Sequence, residues 1–455
     1  MSQNTTVDNT SQTDPADPSS IVTLGAGIIG LSTAYYLSSS FHNHRQKVSP
    51  RNIVVLDTSP TLFACASGRA GGFLAKDWFG AASSQLGQLS FGLHRQLADA
   101  NDGRRRWGYS PSNSYSFEKG TGEEGRKRGD DWLRDGTSRV DASSGAAGDG
   151  NVQRGNPPGW WNCEGGKVEL SCTGDSTAQL DPHGLCEFLL EEVRRRGVIV
   201  RNPVTPSRIL QSADGRLEGL IITKSRGESG TPSAENEEEV LACSHILIAA
   251  GSWSGRVFEK LFPTSDYRIP VSSLAGHSVV VRSPVRQQPE YLHAVFSSID
   301  GLDWHPEAFS RVNGDIYLAG INSADIPLPE LATDVKENDA DIKKLISAAE
   351  DLIVQFGGGG DNDSDDTRNG LTNGANVIRR GLCHRPVTPA GKPIVCRVPD
   401  ALLGGLDTRV GGGGVFVATG HGPWGISMSL GTGKVMAEMM LGEETSVDVS
   451  QLGLQ

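Results

Sequence analysis

No apolar run in this 455-residue chain approaches the roughly 18–20 residues that a membrane-crossing helix needs. Positive charge is also short. The 42 Lys and Arg stand against 54 Asp and Glu, a net charge of −12. A surface that grips nucleic acid or anionic lipid needs clustered cations, so neither class of partner is expected. Cysteines are seven, at 65, 163, 172, 186, 243, 383 and 396, widely spaced and never as Cys-x-x-Cys. That pattern excludes a disulfide framework and a structural zinc site, and no metal is expected. The opening "MSQNTTVDNTSQTDPADPSS" lacks both the apolar core of a secretory signal and the basic residues of a mitochondrial presequence. The closing "QLGLQ" is not a peroxisomal address. These absences predict a reduced, soluble, cytoplasmic protein, with an endosomal association as the lesser alternative. No internal repeat is visible.

Glycine is plentiful, at 57 residues with no collagen-like period. Residues 1–20 read as a disordered tail. Residues 118–158, 224–239 and 357–376 are rich in charge, serine or glycine, and read as solvated inserts without function of their own. Between them lie patterned segments. "NIVVLD" and "HILIAAG" are buried strands, the second entering a glycine turn. Residues 89–100 read as a helix. "DPHGLCEFLLEEVRRRG" is an amphipathic helix with Leu185, Phe188, Leu189 and Val193 on one face. From 267 to 322 the pattern becomes alternating strands such as "HSVVV" and "DIYLAGI", which predicts an antiparallel sheet built between pieces of an α/β domain.

"IVTLGAGIIGLSTAYYL" places Gly25, Gly27 and Gly30 in G-x-G-x-x-G, after a short strand and at the start of a helix. Gly25 permits the tight turn, Gly27 the approach of a pyrophosphate, and Gly30 close packing of helix on strand. The free N–H groups of the segment from Ala26 through Ile28 and Ile29 would then face the phosphates. Asp57 ends the next strand and would accept hydrogen bonds from the ribose hydroxyls. It lies 27 residues beyond Gly30, past the usual spacing of about 20, and "SSSFHNHRQKVSP" supplies the excess as a loop.

Four separated blocks carry a family resemblance: "IVTLGAGIIGLSTAYYL", "ASGRAGGFLA", "ILIAAGSWS", and "CHRPVTPAGKPIV" with "VFVATGHGPWGISMSLGTG". The chain resembles the FAD-dependent oxidoreductases of the D-amino-acid oxidase and glycine oxidase family, and most of all its uncharacterised fungal branch. The resemblance implies a mixed α/β fold. A Rossmann-like FAD domain would be assembled from residues 21–76, 166–256 and 381–445. A substrate domain around an antiparallel sheet would take 77–165 and 257–380. It implies that the glycine turn Gly420, His421, Gly422, Pro423, Trp424, Gly425 and Ile426 covers the flavin, its helix pointing a positive end at the ring. Ser67, Gly68, Arg69, Ala70, Gly71 and Gly72 would run past the pyrophosphate and the reactive face. Ala250, Gly251 and Trp253 would close the adenine side, with Val204 touching the adenine through its backbone.

The same resemblance assigns Arg385 to the substrate carboxylate, for which a guanidinium fork is well shaped. Some relatives carry a second arginine where this chain has Trp424. A tryptophan there would wall the pocket and favour a bulkier or N-substituted substrate. In sarcosine-oxidase-type relatives a cysteine in the setting of Cys383 holds the flavin covalently; here a buried apolar cysteine is expected. His384 and His421 are expected to be structural. No second G-x-G-x-x-G follows a strand, so an NAD(P)H domain is not expected. The predicted activity is oxidation of the C–N bond of a small-molecule amine or amino acid, with O2 as acceptor and peroxide as product. Oxidation of a 2-hydroxy acid, or an interaction protein of vesicle traffic that keeps the fold, are the alternatives.

Overall fold

The computed structural model describes residues 20–40, 48–120, 157–224, 238–282, 291–353, 376–408 and 412–454. Most of the inserts expected from composition lie outside these residues. At the centre stands a six-stranded sheet in the spatial order Ile394–Arg397, Gly414–Thr419, His245–Ile248, Ile21–Leu24, Ile53–Leu56, Ile199–Arg201. Its inner strands are short, β-branched and buried at nearly every position, as strands covered on both faces must be. All neighbours run parallel except Ile394–Arg397 with Gly414–Thr419. The strand order brings the chain's late return, Gly414–Thr419, two places from its first strand.

Each of those two strands feeds a helix, Ile28–Ser40 and Gly425–Met440, and the two helices pack side by side. Their contact is close because Gly433 faces Ser32: a Cβ on Gly433 would lie 2.5 Å from the Cβ of Ser32. A third helix, Ala81–Ala100, locks onto the C-terminal one, with the Gly431 N–H donating to Ser90 Oγ at 3.0 Å. This helix starts eight residues before its predicted start at 89. Its first two turns, "AASSQLGQ", are small and polar, and only tertiary burial of Ser83, Leu86 and Gly87 marks them as helical. Helix Pro182–Arg195 matches the amphipathic prediction. Asp181 caps it by accepting the His183 N–H, and Pro182 sits where a missing donor costs nothing.

The second sheet has nine strands. From one edge it runs Val377–Val387, Ser272–Arg282, Asp315–Ser323, Glu307–Ser310 and Leu292–Ile299, each antiparallel to the next. The expected antiparallel character holds, with one exception: Leu292–Ile299 runs parallel to Ser110–Lys119. That last strand also extends through Glu118 and Lys119, two residues into the stretch read as an insert. The sheet's two faces are chemically distinct. One carries Val279, Val281, Leu318 and Ala308 and is covered by helix Asp339–Leu352 and by Trp161. The other carries Val280, Phe296, Phe309 and Tyr317 and faces the central domain. A separate three-stranded sheet, Val204–Gln211, Leu217–Lys224 and Glu238–Ala242, flanks the latter.

Replacing Gly433 by Val should force the two helices apart. We expect a loss of about 1–3 kcal/mol, read as a lower urea midpoint. Gly92, inside helix Ala81–Ala100 with open space around its Cβ position, supplies the contrast: Gly92→Ala should raise stability by about 0.5–1 kcal/mol, read as a higher urea midpoint.

Candidate active site

A cleft runs between the central sheet and the second sheet, with about 1900 Å³ of unfilled space including its open mouth. Its floor is the first glycine turn. Gly25 takes φ +112°, and a Cβ there would overlap the Ala249 carbonyl oxygen. The turn is held from below by Asp57. The Ala26 N–H donates to its Oδ2 and the Ser59 N–H to its Oδ1, both at 2.9 Å. Burial pushes the Asp57 carboxyl above its ordinary range, and those two backbone donors oppose the shift. Gly25, Gly27, Ile28 and Ile29 line the cleft together with Asp57. The Ile28 N–H donates to Ser67 Oγ at 3.0 Å, which ties the "ASGRAGG" segment to the helix start.

From that segment Ser67, Ala70, Gly71 and Gly72 line the cleft. Gly68 and Arg69 do not. Gly68 offers its carbonyl to Arg379, and Arg69 pairs with Glu337 at 3.3 Å. Ala250, Gly251 and Trp253 form one end of the cleft. Val204 is buried, its N–H bonded to the Asp57 carbonyl, while the neighbouring Thr205 and Pro206 reach the lining. Ala26 and Gly30 lie within the turn rather than on its surface.

The late glycine turn closes the opposite side. His421, Gly422, Pro423, Gly425 and Ile426 line the cleft, so the helix Gly425–Met440 begins at its wall, as Ile28–Ser40 does. Gly420 sits just behind, at φ +76° against Thr388. Trp424 is turned away. Its ring packs edge-on against Phe79, centroids 5.1 Å apart, and against Trp78 at 6.2 Å. The reason is local geometry: Trp424 ends the single turn Gly422–Trp424 and caps the helix Gly425–Met440, and that turn directs its side chain into the aromatic packing rather than along the open edge. Trp424 therefore does not wall the pocket, and the preference for a bulkier substrate argued from it falls away.

The second sheet forms the roof. Strand Val377–Val387 turns Cys383 and Arg385 to the cleft, with His384 also in the lining. Arg385 donates to Asn322 Oδ1, and its guanidinium lies where a Cβ on Gly276 would be. Cys383 is buried and free. Among the described residues no cluster of His, Cys, Asp and Glu is arranged to hold a metal. Sequence reasoning missed Tyr317 and Glu307, two buried roof residues of the cleft. The alternation in "DIYLAGI" carried the signal for Tyr317, but only strand pairing shows which face meets the cleft. Burial pushes the Tyr317 phenol up, with Cys383 adding to the shift and Arg385 opposing it. Also missed is a strap: the Trp253 Nε1–H and both terminal nitrogens of Arg256 donate to the carbonyls of Leu328 and Pro329 at 2.8–2.9 Å. The strapped segment brings Glu330, Leu331 and Ala332 to the rim.

The glycine cradle fits a dinucleotide. Backbone donors at the start of two helices face one space, and side chains are absent where phosphates and a flat ring need room. A family model described as "DAO: FAD dependent oxidoreductase" matches residues 20–439. A protein of Schizosaccharomyces pombe bearing only the general name of oxidoreductase is 27% identical, over 95% of this chain and 97% of that one. Glycine oxidase from Geobacillus kaustophilus shares the fold, with TM-score 0.62 at 19% identity over 96% of this chain and 98% of that one. Iminodiacetate oxidase from Chelativorans sp. does so at TM-score 0.62 and 17% identity, over 95% and 98%.

Two histidines brace the late helix. His94 Nε2 meets the Ile426 carbonyl at 2.9 Å, and His421 Nε2 meets Thr432 Oγ1 at 3.1 Å. Burial lowers both to about 4. In the unfolded chain each takes up a proton near 6.5; in the fold it does so only near 4. Protons thus favour unfolding across that window. Stability present above pH 6.5 should fall by about 1.4 kcal/mol per pH unit for each ring as pH drops toward 4. Urea midpoints at pH 7, 6 and 5 check this, and His421→Gln should flatten the slope.

Proposed function

Because the chain belongs to the DAO family of FAD-dependent oxidoreductases, we propose that it oxidises the C–N bond of an amine or amino acid with molecular oxygen as the final acceptor. The balance is amine plus O2 plus water going to a carbonyl compound, ammonia or a smaller amine, and hydrogen peroxide. When bound, FAD supplies the two-electron acceptor that links these halves. Everything else falls to the chain's own residues.

Arg385 carries the reading. It is a cation on the roof of the cleft, facing the glycine cradle, and Asn322 and the space over Gly276 hold its fork in one orientation. A fixed fork takes a carboxylate through two parallel charge-assisted bonds and so sets the pose of the carbon beside it. Tyr317, kept as a neutral phenol by burial, adds a hydroxyl on the same roof. The rings nearest the cleft are also neutral at pH 7. Burial lowers His421 to about 4, and lowers His384 with Arg256 and His277 adding to the effect. Neutral rings do not repel a cationic amine as it enters, and they leave the amine's proton to water. The oriented substrate then has its acidic group anchored and its amine-bearing carbon directed toward the cradle.

The test is anaerobic mixing of the FAD-loaded protein with a panel of amino acids, N-substituted amino acids and 2-hydroxy acids. Bleaching of the flavin by an amine, with peroxide formed in air, supports the reading. Bleaching by hydroxy acids alone would sink it. With an active amino acid in hand, Arg385→Ala should lower kcat/KM by about 10²–10⁴-fold, the worth of two charge-assisted bonds, while flavin content stays unchanged.

A further inference from the structure

Beside the cleft, on the same face of the roof sheet as Tyr317, lies a second cationic cluster that the proposed reaction does not use. Strand pairing sets Arg379, Val280, Tyr317 and Phe309 directly opposite one another across four neighbouring strands. Arg311 follows Phe309 by two residues and reaches the same place, its guanidinium carbon 5.8 Å from the Tyr317 ring centre. Neither arginine lines the cleft. Tyr317, whose ring stacks parallel on Phe309, stands between.

Among the described residues the two guanidinium groups are under-partnered. Arg311 is 12% exposed; its Nη1 donates to Asp181 Oδ1 at 2.9 Å, while its Nε and Nη2 are buried with no acceptor. Arg379 Nη1 donates to the Gly68 carbonyl at 3.3 Å, and its Nη2 is buried with no acceptor. A third cation nearby, Arg69, already has Glu337. The charge is unbalanced too. Asp181 is the carboxylate that faces both groups, and it is shared with a helix cap. Burial, then Arg311, lowers the Arg379 guanidinium. Each buried donor without an acceptor carries a desolvation penalty, and two cations that share one carboxylate repel each other. An anion between them removes both penalties together.

We propose that Arg311 and Arg379 form a second anion site, separated from the cleft by the Tyr317 ring, that takes a small oxyanion. The shared chemistry is a compact oxygen anion with several acceptors, which a phosphate or a carboxylate provides. Three donors from two forks suit either one.

Calorimetric titration of the FAD-loaded full chain with inorganic phosphate, and separately with acetate, tests the site and names its preferred anion. The acetate arm uses Arg385→Gln protein, so that a carboxylate in the cleft does not count. Saturable binding of one equivalent is expected. Arg311→Gln and Arg379→Gln should each weaken it at least about tenfold, the worth of one bond to a charged group. Arg379→Lys keeps the charge and loses the fork, so it should bind phosphate with intermediate affinity. The flavin spectrum confirms folding of each variant. Absence of saturable binding of either anion below about 10 mM, or binding indifferent to both glutamine variants, would overturn the proposal. The readout is independent of turnover, so it separates from the test of the amine-oxidase reading.

Discussion

The last helix can lie against the first only because no side chain stands between Gly433 and Ser32. Both helices begin at the cleft, at Ile28 and Gly425, and both run away from it. Their proximity therefore brings two helix starts, and two positive dipole ends, to one elongated space. Two helix starts facing one elongated space suit an anionic dinucleotide, whose charge a positive dipole end stabilises. This explains a glycine-rich turn at each end of the chain. Neither helix alone supplies a site long enough, and the sheet order that sets Gly414–Thr419 two places from Ile21–Leu24 makes them neighbours.

The roof works by a different device. Its strands are buried on both faces, so the face that meets the cleft is set by pairing register rather than by exposure. The same register that turns Arg385 to the cleft turns Tyr317 and Cys383 there too. It leaves Val279 and Leu318 for the helix behind. Gly276 is the local concession, with its missing side chain holding the guanidinium.

Much of this was legible in the residues. The two glycine turns, the acid at Asp57, the helix Pro182–Arg195 and the alternating roof strands all rest on local pattern, and local pattern survives folding. Less legible was whatever depends on a partner far along the chain. Arg69 finds Glu337 across 268 residues, and nothing near Arg69 announces it. Trp424 sits in a motif whose glycines face the cleft, yet its ring belongs to an aromatic contact with Phe79 and Trp78. The first turns of Ala81–Ala100 look like a loop because small polar residues dominate them, and Leu86 is the one large apolar residue there that reaches the core. Tyr317 and Glu307 were visible as residues but not as a surface, since strand alternation leaves the choice of face open.

The strap over the cleft has a consequence for how such a site changes over time. Trp253 and Arg256 hold it by its backbone carbonyls, at Leu328 and Pro329. Grip and contact are therefore borne by different atoms. Side chains at Glu330, Leu331 and Ala332, which meet the rim, can be exchanged without loosening the hold. The rim can take on new selectivity one residue at a time while the enclosure stays mechanically the same.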